Sequence, residues 1–503
     1  MGGKFGQKTS PTNVEIVGPI SAFDEVLVAT LDPLIQLQYP YNANARLVSS
    51  LVAGSGTITV ENSLVTLSTG TTTASDVLFR SVRDAHYQPG QGIKNRFTAL
   101  FQSSGTSETS VGWGIGNEED GFFVGYDGTT FGFLHRSGGA LEHQTLTISA
   151  GAGTASGNIT ITLDGVETTV ALIQNDTIQD IVRKITATSF VGWDVQAFGT
   201  QCIFIDHIAQ TRGADFTFDD TGTTGAAGTF SEIITGAAPT DNWTAQTDWS
   251  NDKFNGNGGS KVTLAPENGN VYQIAFGWLG FNDIQLRIKA PNMGGFVLAN
   301  ILSYPNQFTV PSIQNPTLPV YGFVKNGGTT TDITISSGSQ SVFTEGVHID
   351  DGISFSTSTT LALGTTTETC ILVLKNKPIF QEVQNRVEYI PTMLTFSANG
   401  TGGTKATTLR LIHNPIVGGP TSYSDISTNQ SVIAVDTSST TRTGGNILGT
   451  FAFGTDQDNF VLGPEELFEI MGEHSPGNVM AITVELDAGT SDIEVGIVWK
   501  ELL

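Results

Sequence analysis

Along most of this chain apolar and polar residues alternate with a period of two, in short runs broken by Gly, Asn, Asp, Ser and Thr. That rhythm puts apolar side chains on one face of an extended strand and polar ones on the other, the pattern of antiparallel sheets with one wet face. The runs include GTITVENSLVTLST at 56–69, ITITLDGVETTVAL at 159–172, VYQIAFGWLG at 271–280, FNDIQLRIKA at 281–290, TTLRLIHNP at 407–415, VMAITVELDAG at 479–489 and SDIEVGIVWKEL at 491–502. Asp164-Gly165 sits between two such runs, and this dipeptide supplies the positive φ angles of a type I′ hairpin turn. Composition agrees: charged residues make up 14% of the chain and glycine contributes 59 of its 503 residues, against about 25% charged and ~7% Gly in an average globular domain. Helices are disfavoured, and the length implies several packed units.

One helix stands out. In NDTIQDIVRKI, Ile178, Ile181, Val182 and Ile185 recur at i, i+3, i+4 and i+7, with Asp176 as cap and Gln179 at capping-box spacing. Alternating segments precede it at 159–172 and follow it at 193–198 and 202–208, and Gly/Ala-rich stretches at 149–157 and 221–239 bracket the set. The expected fold class is therefore all-β, with β-sandwich or jelly-roll-like domains and one small inserted α+β (ββαββ) module. We place an extended N-terminal arm at 1–40, which carries Pro11, Pro19, Pro33 and Pro40. An interrupted β-sandwich follows at 41–145 plus 239–380, then the inserted module at 146–238 and a C-terminal β-sandwich at 386–503. The Pro-rich stretch 303–320 reads as an ordered crossing loop, because proline cannot donate to a central ladder.

The charge balance is acidic, with 48 Asp+Glu against 23 Lys+Arg and a net charge of −25; such a chain repels phosphate, so nucleic acid is not an expected partner. Cys202 and Cys370 give neither a disulfide framework nor metal spacing and read as small buried hydrophobes. His86, His135, His143, His207, His348, His413 and His474 show no HExxH or HxH spacing. No nucleophile elbow, phosphate loop or dinucleotide fingerprint is present; Gly114-Ile115-Gly116 lies among strands and turns, where glycine serves packing. The opening MGGKFGQKTSPTNVEIVGP lacks the apolar core of a secretory signal, and Gly6 stands where a myristoylation signal asks for Ser or Thr. With no apolar run of about 18 residues either, the expectation is a soluble chain made in a cytosol, without membrane insertion.

Two acidic runs and one aromatic cluster deserve weighing. Glu118, Glu119 and Asp120, with Asp127 beyond, offer paired carboxylates for glycoside hydrolysis or oxygen ligands for calcium; the plainer reading, which we prefer, is a solvated turn. Asp215, Asp219 and Asp220 read the same way. Trp113, Phe122, Phe123, Tyr126, Phe131 and Phe133 invite sugar stacking, but their near-alternation fits a sandwich core better. Asn158, Asn175, Asn242, Asn399 and Asn429 form Asn-x-Ser/Thr triplets that a chain rich in Asn and Thr produces by chance. No catalytic, cofactor-binding or metal-binding residue is assigned, and no cofactor is expected.

The stretches WGIGNEEDGFFVGYDGTTFGFLHRSGG at 113–139, QIAFGWLGFNDIQLRI at 273–288, PSIQNPTLPV at 311–320 and NVMAITVELDAGTSDIEVGIVWKEL at 478–502 resemble virion structural proteins of tailed phages and large double-stranded DNA viruses. The 146–238 segment is similar to a small module repeated in phage tail proteins. The resemblance transfers no catalytic residues. It implies a viral structural protein located on the virion and synthesised in the host cytosol. The expected role is a fibre, spike or tail component that takes part in host attachment, with a capsid-shell or capsid-decorating protein as the alternative and a virion-borne polysaccharide depolymerase as the second; a bacterial adhesin or surface-layer-like protein lies further off. The implied partners are other virion proteins, host surface glycan, and copies of the chain itself in a homotrimer, because Ile35, Leu37, Tyr39, Ile313 and Leu318 lack an evident partner in their own segments. Two further expectations concern the C-terminal half. The runs 479–486 and 492–499 should form a core hairpin, and Asp436, Asp456 and Asp458 should lie in solvated loops.

Overall fold

The computed structural model describes residues 31–502 except 103–104, 214, 292, 347–351, 365, 400–405, 420, 454–458 and 472–473. Pro11, Pro19, His348, Asp456 and Asp458 therefore lie outside the described residues. Within them the fold is all-β, built of antiparallel sheets, and the longest helix is the one at Ile178–Thr186. No helix among the described residues is long and apolar enough to cross a membrane. The chain divides into two compact units, Met1–Ser137 with Thr240–His348 and Gly138–Pro239 with Ile349–Leu503.

The first unit is a sandwich of a nine-stranded and a seven-stranded sheet. Trp113, Phe79, Phe97, Phe101, Phe122, Phe133 and Tyr272 fill the space between them. Trp113 Nε1 donates to Gln340 Oε1 at 2.6 Å, and Gln340 Nε2 donates to the Tyr39 hydroxyl at 2.6 Å, so buried polar atoms tie one sheet to the other. The chain leaves this sandwich at Ser137 and returns at Thr240, and these two residues are directly paired neighbours on strands Thr130–Ser137 and Thr240–Ala245.

Two expectations fail in this unit. Strand Leu31–Gln38 pairs with Ser339–Glu345, and Ile35, Leu37 and Tyr39 are buried in the unit's own core, as are Ile313 and Leu318. They are not apolar surface awaiting a second copy. Strand Leu318–Asn326 is central, paired on both sides, although it contains Pro319. A bulge between Pro319 and Tyr321 breaks the ladder where the proline has no amide to give, and the Ser81 hydroxyl accepts the Val320 amide there.

The second unit contains the inserted module and the C-terminal sandwich together. The module holds a four-stranded sheet, a three-stranded sheet and the helix around a core that includes Leu146, Ile161, Ile181, Ile185 and Phe204. It has more strands than the expected ββαββ set, because Leu141–Ala150, Phe216–Asp219 and Ala227–Ile234 also pair within it. The Asp164-Gly165 turn is present, with φ of 50° and 78°. The helix cap is shifted by one residue: Thr177 is N-cap, its hydroxyl accepting the Asp180 amide while the Asp180 carboxylate accepts the Thr177 amide. Asp176 instead accepts the Ile173 amide and pairs with Lys184.

The C-terminal sandwich packs a four-stranded sheet on a six-stranded one around Leu372, Leu374, Leu411, Ile482, Val484, Ile493, Val495, Ile497 and Trp499. Strand Ile353–Leu363 pairs with Ser491–Leu502, and Thr369–Asn376 pairs with Val479–Leu486. Residues 353–376 thus belong to this sandwich, not to the interrupted one that was expected to run to 380. The expected hairpin is also absent: Val479–Leu486 lies in the six-stranded sheet and Ser491–Leu502 in the four-stranded sheet. Their apolar faces meet across the core, so the connection passes from sheet to sheet.

Candidate functional site

The acidic candidates are structural. Glu118, Glu119 and Asp120 are buried, and only Asp127 is exposed. The Glu118 carboxylate accepts the Tyr321 hydroxyl at 2.5 Å and Lys325 Nζ at 2.8 Å, with Arg136 at 3.5 Å. Burial favours its neutral form, but Lys325 and Arg136 more than offset this and hold it ionised below the usual carboxylate range. Asp120 accepts the amides of Gln314 and Asn315 at 3.1 and 3.4 Å. The expected solvated turn is therefore a buried brace between the 117–121 turn and the strand and loop at 312–326.

Asp220 accepts the Thr224 and Gly225 amides at 2.8 and 2.7 Å and closes a loop, while Asp215 and Asp219 are exposed. Asp436, expected in solvent, is 1% exposed and accepts the Ser438 amide and hydroxyl at 2.7 and 2.5 Å. The aromatics Trp113, Phe122, Phe131 and Phe133 are in the sandwich core, with Tyr126 packed against it, whereas Phe123 is buried in a separate cluster with Leu78, Leu134, Tyr321 and Phe323. Cys202 and Cys370 are free and buried. Among the described residues no cluster of three His, Cys, Asp or Glu has metal-binding geometry.

What the sequence reading missed is a cavity of about 230 Å³ in the second unit. One wall is the helix, where Gln179, Val182, Arg183 and Thr186 recur at i, i+3, i+4 and i+7, joined by Val195, Gln196 and Ala197 of strand Trp193–Phe198. The other wall is the outer face of the six-stranded sheet with its flanking loops, including Lys375, Val417, Tyr423, Gly477 and Val479. Phe198 stacks on Tyr423 at 5.6 Å between ring centres, fixing the two walls together.

Lys375 is the unusual member. It lies on the interior strand Thr369–Asn376, whose Leu374 points into the sandwich core, so Lys375 shares the opposite face with Val373. It is 3% exposed, and its ammonium donates to the Ala197 carbonyl at 2.6 Å. Burial pushes its pKa down to about 8, because a desolvated ammonium is disfavoured. Beside it, Gln196 Oε1 and Arg183 Nε are buried without a hydrogen-bond partner. Gly477, with φ of 86°, lies so close to the Gln196 amide that a β-carbon would collide with it. The sequence signal was present in TCILVLKN at 369–376, where a lysine continues a run apolar on both faces.

No family model and no curated protein matches the chain. Among solved structures it is similar to the lumenal domain of VIP36 in its Ca²⁺/Man3GlcNAc-bound form, at 9% identity over 64% of this chain and 92% of that one, with a TM-score of 0.25. A lectin from Bauhinia forficata in complex with GalNAc follows at 9% identity, 62% and 97% coverage and a TM-score of 0.22. The receptor-binding domain of botulinum neurotoxin type G gives 9% identity, 89% and 96% coverage and a TM-score of 0.24. At such scores these likenesses add nothing to the strand pairing described above.

Proposed function

We propose that this chain is a viral structural protein, a fibre, spike or tail component exposed on the particle and engaged in host attachment. The observation that carries the reading is how the buried charges are used. Glu118, Arg136, Lys325 and Asp241 neutralise one another in the first sandwich, which stiffens a scaffold and engages Glu118 in ion pairs. The resemblance of the 113–139, 273–288, 311–320 and 478–502 stretches to virion proteins supports the same reading. The enzyme alternative is correspondingly weakened.

Homotrimer formation is part of the proposal, through surface other than the residues now found in the core; Leu279, Phe281, Phe308 and Val310 are exposed and apolar. A chain of 53.2 kDa would then give a particle of three times that mass by light scattering. Immunogold electron microscopy of purified particles with antibody against this chain tests the location. Label at tails, fibres or spikes is the expected result, and label spread over the whole shell would replace it with the capsid reading. Particles that carry no label would sink both.

A further inference from the structure

We propose that the cavity in the second unit binds a small molecule bearing one carboxylate on a single ring, as in a uronic acid, with Lys375 as the counter-ion of that carboxylate. Its lining runs against the character of the chain. With 48 acidic residues against 23 Lys and Arg overall, the cavity is lined by two cations, Lys375 and Arg183, and, among the described residues, by no Asp or Glu. Arg183 is paired with Asp180 on its own helix, but Lys375 has no carboxylate partner among the described residues. A buried ammonium is ordinarily paired, since desolvating a charge is costly without a counter-ion. Here one neutral carbonyl meets it, and the ammonium carries three donors. An incoming carboxylate supplies the missing partner.

Size and remaining polarity specify the rest of the ligand. A cavity of about 150 Å³ takes one benzene ring, so about 230 Å³ accommodates one substituted ring. Val195, Val417, Val479 and Tyr423 give apolar wall for a ring face, while the unpaired Gln196 Oε1 accepts a hydrogen bond from a ring hydroxyl. A bare anion would leave both features unused. The same chemistry occurs in a free sugar acid and in the acidic end sugar of a glycan.

Calorimetric titration of the full chain with D-glucuronate, D-glucose and inorganic phosphate tests the assignment. The expected result is millimolar or tighter binding of glucuronate, with glucose and phosphate each weaker by about tenfold or more. Lys375→Met should weaken glucuronate about tenfold, and Val417→Phe, which fills the cavity and leaves every charge in place, should abolish it. Thermal melts of both variants establish that they fold, and either one suffices if the other does not. Absence of binding at about 20 mM glucuronate, equal binding of glucose or phosphate, or unchanged binding in a folded Lys375→Met would each overturn the proposal. Retention on an immobilised glucuronate-ended oligosaccharide identifies a glycan as the source, and binding of the free acid alone identifies a soluble metabolite; both outcomes uphold the site. Particle labelling and calorimetry fail separately, so loss of the attachment reading would leave this site standing.

Discussion

Single buried polar groups set the sharpest expectations. Lys375 titrates near 8 in the folded chain and near 10.4 when unfolded, so between those values the unfolded state holds more protons and stability rises with pH. Below 8 both states are charged and the folded one carries an unpaired cation. Lys375→Met should therefore stabilise the second unit by roughly 1–3 kcal/mol at pH 7, and by less at pH 9.5, in urea titrations followed by circular dichroism. His474 behaves with the same sign in acid. Its ring stacks on Tyr389 at 4.8 Å, both its nitrogens are buried without partners, and burial, with His413 nearby, lowers its pKa to about 3. As pH falls below ~6.5 the unfolded state takes up a proton that the folded state refuses, costing roughly 3 kcal/mol by pH 4. His474→Phe should keep the stacking and flatten that loss in the same titrations. Asp436→Ala should cost about 1–3 kcal/mol, because the Ser438 amide would lose its buried acceptor; a change below half a kcal/mol would restore the solvated-loop reading.

At the scale of elements, the last strand organises the C-terminal sandwich. Ser491–Leu502 is paired along its length with Ile353–Leu363 on one side and Glu388–Asn399 on the other. Its Ile493, Val495, Ile497 and Trp499 alternate into the core while Asp492 and Glu494 face out. Trp499 is fully buried, and its Nε1 donates to Glu501 Oε1 at 3.0 Å. Trp499→Ala should cost about 3–5 kcal/mol through the cavity it leaves, read as a lowered urea midpoint of the second unit. Loss of less than one kcal/mol would mean that the strand is dispensable to the core.

For the whole molecule, the two units have separate cores, so calorimetry of the full chain should resolve two transitions. Replacing 138–239 by a short Gly/Ser linker tests the division, since Ser137 and Thr240 are already paired neighbours that a hairpin turn can join. The first transition should survive nearly unchanged. The second should fall by roughly 5–10 °C, because the module stacks Phe198 on Tyr423 and accepts the buried Lys375 ammonium at the Ala197 carbonyl. Retention of both transitions at their original temperatures would show that the module contributes nothing to the sandwich beside it.

Local chemistry alone determined the strand-rich class, the Asp164-Gly165 turn, the helix around Ile181 and Ile185, and the inward faces of 479–486 and 491–502. Each depends on a periodicity or a turn residue that acts within a few positions. The pairing of those strands was another matter. Val479–Leu486 and Ser491–Leu502 have the alternation of a hairpin and the alternation of two facing sheets equally, and only their partners, far away in sequence, decide between the two. Burial of the acidic residues was illegible for the same reason: Glu118 is tolerable inside only because Lys325, Arg136 and Tyr321 arrive from distant strands. The cavity at Lys375 exists only because a module inserted at 138–239 settles on a sheet built from 369–486. Periodicity assigns a residue to a face; which surface that face meets is decided by long-range packing, where burial and charge compensation are settled together.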